Sequence, residues 1–148
     1  MEHQDEKRLL TSSLIIPIIL VLIMWLVKIV ETVFDLDFSF LGIKPISVEG
    51  LPGIILFHFI HGDWEHLFAN TVPILVLGTS LYYFYRPIAN KTLLILMFST
   101  GFLTWCGARS GVHIGASGLV YGLTFFLMIS GFIRRDRKLI IISLIVVF

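Results

Sequence analysis

Three polar side chains in a strongly apolar sequence have the types and spacing to do chemistry. They are a serine among small residues, Gly115-Ala116-Ser117-Gly118, and a histidine and an asparagine four apart, His66 and Asn70. A serine hydroxyl becomes a nucleophile once a base takes its proton, and the oxyanion it creates needs hydrogen-bond donors aimed at it. Imidazole and carboxamide groups are such donors, and an i, i+4 spacing puts both on one helix face. Gly115, Gly118 and Gly122 remove bulk around the hydroxyl. Each feature also has a plain structural explanation. Serine is favoured as a helix N-cap, glycines let a second helix approach closely, and a polar pair inside a span can bond to neighbouring helices. Polar groups held at membrane depth are costly, which keeps the functional explanation open.

Other candidates are weaker. His58, His61, His66 and His113 are all expected on the outer side, but their spacing matches no metal-ligand pattern and no carboxylate or thiolate completes one. Neither a metal nor another cofactor is expected. Asp63 and Glu65 suit solvated positions beside a helix, Pro73 suits a kink, and Cys106, the single cysteine, suits a packing role.

The elements that must position these groups follow from composition. Of 148 residues, 57% are hydrophobic and 14% charged, too little polar surface to coat a soluble domain. Mean hydropathy is +0.94. A net charge of +1 and the absence of a basic aromatic stripe argue against a nucleic-acid partner. The pattern predicts one transmembrane domain over residues 1–148, an all-α multi-pass bundle with helices near 9–33, 66–85, 92–108, 117–133 and 139–148. An interfacial loop is expected over 34–65. The first segment is expected to be a retained helix rather than a cleaved leader, with Lys28 snorkelling from its far end. With the N-terminus cytoplasmic, the inner loops carry Lys7, Arg8, Arg86, Lys91, Arg134, Arg135, Arg137 and Lys138, against Lys44 and Arg109 outside.

Two segments have unusual lengths. The apolar run Leu119–Ile133 has 15 residues, roughly 22 Å of helix against a hydrocarbon core of about 30 Å. With Arg134 and Arg135 pinning its inner end, Ser117 is expected below the outer surface, where irregular backbone must be buried or line a wet cavity. The last run, Leu139–Phe148, is about half a span, from which the chain is expected to be a fragment of a longer protein.

His61-Gly62-Asp63-Trp64-Glu65-His66-Leu67-Phe68-Ala69-Asn70, followed by Gly115-Ala116-Ser117-Gly118, resembles the rhomboid intramembrane serine proteases. The first stretch is similar to that family's H-x-x-x-N element and the second to its G-x-S-G motif, at the start of a short fourth helix. The resemblance covers about residues 50–135. It implies that Ser117 is the nucleophile and that His66, Asn70 and the Ser117 backbone N–H form the oxyanion hole. It further implies a transmembrane protein as substrate, water entering from the outer side, and a serine–histidine dyad whose histidine lies on a sixth helix. No residue in this sequence matches that base, and His113 is expected to line the loop, so the chain as written is expected to be inactive. A catalytically dead rhomboid-like protein that binds transmembrane helices is the alternative. A transporter with a broken helix is a third class, disfavoured because no inverted hydropathy repeat is visible.

Overall fold

The computed structural model describes residues 2–147. Among them there are six α-helices and no strand: α1 (Glu2–Phe34), α2 (Gly53–Leu56), α3 (Trp64–Phe84), α4 (Ala89–Gly107), α5 (Ser117–Arg134) and α6 (Arg137–Val147). Three stretches, Gln4–Phe34, Trp64–Phe84 and Ser117–Arg134, are long and apolar enough to cross a membrane. The 19-residue α4 is of similar length but opens on Ala-Asn-Lys-Thr, which lowers its apolarity. Phe148, the end of the expected last segment, lies outside the described residues.

α1 begins well before the expected Leu9, because Glu2, Gln4, Glu6, Lys7 and Arg8 are good helix formers and the acidic residues among the first few favour a helix N-terminus. The segment between α1 and α3 is more ordered than a plain interfacial loop. It contains 3₁₀ turns at Ser39–Leu41, Val48–Gly50 and Phe57–Phe59 besides α2. Lys28 lies near the far end of α1, as its place in the sequence requires. Its ammonium donates to the Gly62 carbonyl at 2.9 Å.

α1 packs on α3, while α5 is central, touching α3, α4 and its hairpin partner α6. The buried side chains recur at helical spacing: Leu67, Ile74, Leu77 and Leu81 on α3, and Leu119, Leu123 and Leu127 on α5. The opposite faces are equally apolar, with Leu22, Leu26, Leu94, Leu103, Phe125 and Ile133 all exposed. A helix apolar all round belongs in lipid, where backbone polar groups must be satisfied internally.

Lipid is as apolar as a leucine side chain, so close packing rather than exclusion from water holds such helices together. The crossings accordingly use small residues. A Cβ built on Gly78 would meet the Pro17 ring at 2.9 Å, one on Gly122 would meet Thr100 at 3.0 Å, and one on Gly131 would meet Ile140 at 2.9 Å. The C-terminal ends of α3 and α5 stand level, since the Arg134 guanidinium lies 5.2 Å from the Tyr85 ring centroid and Tyr85 and Ser130 share a hydrogen bond. Counting back from there puts Ser117 beside Phe68, about 6 Å below the first residue of α3.

The tightest crossing gives a stability test. A Cβ on Gly101 would meet the Ile54 carbonyl oxygen at 2.0 Å, whereas one on Gly107 meets nothing within 4 Å. Gly101→Ala is expected to cost about 1–3 kcal/mol by overpacking, and Gly107→Ala to be neutral or stabilising by up to about 1 kcal/mol. Unfolding in detergent would check the pair, and equal effects at the two positions would contradict this packing.

Candidate functional site

α3 presents the first two polar groups. Its N-cap is Asp63, whose side chain accepts from the His66 backbone N–H at 2.7 Å and starts the helix three residues before that histidine. One turn on, Asn70 is buried, and its Nδ2 donates to the His66 carbonyl at 2.9 Å. A carboxamide nitrogen carries two N–H groups, so one remains for another acceptor.

Ser117 is the first residue of α5. The N-cap position falls on Ala116, and no side chain caps the helix there. The hydroxyl is therefore not explained as a cap. Ser117 is exposed, while Gly115 and Ala116 before it are buried. The N–H groups of the first turn have no intrahelical partner, which gives this end of α5 a partial positive charge.

The approach to Ser117 is tied down by the segment before α3. Ile43 and His113 exchange two backbone hydrogen bonds of 2.9 Å. The Gly115 N–H donates to the Phe57 carbonyl at 2.8 Å, and the Ala116 N–H donates to His61 Nε2 at 3.3 Å. Gly115 has φ +110, a conformation that L side chains rarely adopt, and a Cβ there would fall 2.4 Å from His66 Cε1. The His66 ring thus lies against bare backbone.

His66, Asn70, Pro73, Ser117, Tyr121 and Val146 line one open cavity of about 230 Å³. All three polar groups singled out in the sequence meet there. Gly118 and Gly122 do not face it. They turn toward Phe57 and α4, where an added Cβ would meet Phe57 and Thr100, so their part is helix packing rather than clearance around the hydroxyl.

The remaining histidines are engaged elsewhere. His58 Nε2 pairs with the Met97 carbonyl at 3.0 Å, and His113 Nε2 pairs with the Arg109 carbonyl at 2.8 Å. His61 and His66 stack edge to face with ring centroids 5.1 Å apart. Among the described residues no three His, Cys, Asp or Glu side chains form a group able to hold a metal. Sequence reasoning missed His61 as a support for the serine loop and Tyr121 as a cavity wall one turn below Ser117. A histidine in an apolar, glycine-bounded segment was the available sign of the first. The i, i+4 relation to Ser117 was the sign of the second.

A family model described as the Rhomboid domain matches residues 49–148. An uncharacterized protein of Mycobacterium tuberculosis (strain H37Rv) is 33% identical over 141 residues, covering 86% of this chain and 56% of that protein. One from Mycobacterium leprae is 31% identical over 131 residues, covering 80% of this chain and 50% of that protein. The chain therefore spans about half the length of the curated relatives it matches. No solved structure matches it.

His61 carries a pH prediction. It accepts an N–H at Nε2 and so must be neutral, and burial first, then the neighbouring His66, hold its pKa down from 6.5 to about 4. Above pH 6.5 the ring is neutral whether the chain is folded or not. As pH falls from 6.5 toward about 4, the unfolded chain takes up a proton that the folded one refuses, and stability drops. Thermal unfolding in detergent should show that loss, reduced in His61→Gln, whose amide oxygen can accept the same N–H without titrating. A wild-type melting temperature unchanged over that interval contradicts it.

Proposed function

The chain belongs to the rhomboid family, and on that premise we propose that it forms the nucleophile-bearing part of an intramembrane serine endopeptidase. The observation that carries this proposal is the shared cavity, in which an uncapped, exposed serine at a helix N-terminus meets an imidazole and a carboxamide on the facing helix. In the proposed reaction Ser117 Oγ attacks the carbonyl carbon of a substrate peptide bond as a base histidine takes its proton. The oxyanion is held by the Ser117 N–H, His66 and the free Asn70 N–H. The C–N bond then breaks, the same proton passes to the leaving amine, and water releases the acyl group from Ser117.

None of the four histidines near the site serves as the base in this scheme. His58, His61 and His113 pair with Met97, Ala116 and Arg109, and His66 is assigned to the oxyanion. The family resemblance assigns the base to a histidine on a later helix, and cleavage is proposed for the whole protein on that footing. Without a base, Ser117 would keep only the weak contribution of positioning and the oxyanion donors. The proposed substrate is a transmembrane protein that enters the cavity within the bilayer. The proposed setting is the plasma membrane with a cytoplasmic N-terminus, supported by the excess of Lys and Arg in the loops then placed inside.

The engagement of those histidines also favours a second possibility, a rhomboid-like protein that binds transmembrane helices without cutting them. Reconstituting the full-length protein with a transmembrane substrate separates the two. For the protease, Ser117→Ala should lower cleavage by on the order of 10⁴-fold or more and abolish fluorophosphonate labelling. His66→Ala and Asn70→Ala should each lower kcat by about 10²–10³. Cleavage that survives Ser117→Ala rules out the protease. Substrate binding with no cleavage and no labelling in the wild-type protein supports the binder.

A further inference from the structure

An ion pair between a half-buried lysine and a buried glutamate lies near the His66 turn and outside the cavity. Lys28 and Glu31, one turn apart near the outer end of α1, approach to 3.5 Å, with their side chains only 13% and 7% exposed. Lys28 Nζ donates to the Gly62 carbonyl at 2.9 Å, and Glu31 Oε1 accepts from the Phe38 N–H at 2.8 Å. The pair thus joins three places: the end of α1, the first turn of the loop that follows, and the residue just before the α3 cap. A second tie runs alongside it. Trp25 Nε1 donates to Thr71 Oγ1 at 3.1 Å, and the Trp25 indole packs edge-on to Phe68.

Taking both charges out of water is expensive, and well-packed apolar side chains in their place are often at least as stable. The best-attested use of such a pair is to fix one register among several. Here the register concerns the oxyanion donors. Gly62 precedes Asp63, Asp63 caps the His66 N–H, and the His66 ring lies on Gly115 two residues before Ser117.

We infer that Lys28 and Glu31 are positioning residues for the oxyanion hole, holding the Gly62 carbonyl so that the first turn of α3 sets His66 at the depth and rotation Ser117 requires. This rests on the assignment of His66 as an oxyanion donor. The charge pair itself touches no reacting atom.

The test compares Lys28→Met, Lys28→Arg and the double variant Lys28→Met/Glu31→Gln in the full-length protein. Lys28→Met strands the Glu31 carboxylate, so both melting temperature and kcat should fall. The double variant removes the stranded charge and keeps an acceptor for the Phe38 N–H, so its melting temperature should recover. Its kcat should nevertheless stay roughly tenfold down or more, with KM within about twofold, because the Gly62 carbonyl still lacks its donor. Lys28→Arg keeps a charged donor and should regain most of kcat. A kcat that returns along with the melting temperature in the double variant would assign the pair a purely structural role and overturn the inference. A second readout does not depend on cleavage. The ¹³C shift of the labelled Gly62 carbonyl should move upfield in both Met variants and stay near wild type in Lys28→Arg, and an unmoved shift overturns the inference even if no proteolysis is found. Cleavage persisting in Ser117→Ala would sink the protease proposal and the oxyanion-hole role with it, whereas an unmoved carbonyl shift with Ser117-dependent cleavage intact would sink only the inference about the pair.

Discussion

Backbone that leaves regular structure inside a bilayer must find hydrogen-bond partners in the protein, and the approach to Ser117 meets that demand with almost nothing to spare. α5 starts about a turn below the first residue of α3, so residues 109–116 descend without helical bonds of their own. Their partners come from one place. Ile43, Phe57 and His61, all in the segment between α1 and α3, take up the N–H groups of His113, Gly115 and Ala116. The next N–H along the chain belongs to Ser117, at the free end of a helix. The donors of Gly115 and Ala116 just before it are both engaged, so the first free N–H after them is that of Ser117.

The helices that carry this arrangement cannot rely on exclusion from water, so their positions are set by close approach. Gly101 admits the Ile54 carbonyl, which seats α2, and the 3₁₀ turn bearing Phe57 and His58 follows directly. Gly122 brings α4 against α5, and Gly131 folds α6 back on α5. Gly115 joins the two halves of the site, because its positive φ turns the chain into α5 and its missing side chain makes room for the His66 ring. One residue accordingly governs both the direction of the serine and the seat of its facing imidazole.

Much of this was legible in the sequence because the strongest signals are local. Apolar runs broken by charged loops show the helices, and H-x-x-x-N with G-x-S-G shows which groups should meet. What could not be read depends on partners far apart in the chain. The Lys28–Gly62 bond and the His61–Ala116 bond join residues 34 and 55 positions apart, and no periodicity encodes either. Lys28 resembled an interfacial lysine, and His61 resembled one more imidazole in a metal tally. The segment over 34–65 gave only loop composition, since 3₁₀ turns and a four-residue helix are too short to show a period. The helix starts at Ser117 as expected, but serine's preference for N-caps gave its hydroxyl a structural role that the position of Ala116 as the cap removes.

The arrangement of Ser117 against His66 and Asn70 is tested most directly by an experimental structure of the protein after reaction with a fluorophosphonate. The expected density shows phosphorus bonded to Ser117 Oγ, with the phosphonyl oxygen within hydrogen-bond distance of the Ser117 N–H, His66 and Asn70. An adduct whose oxygen points toward α4, or one formed on another residue, would contradict it.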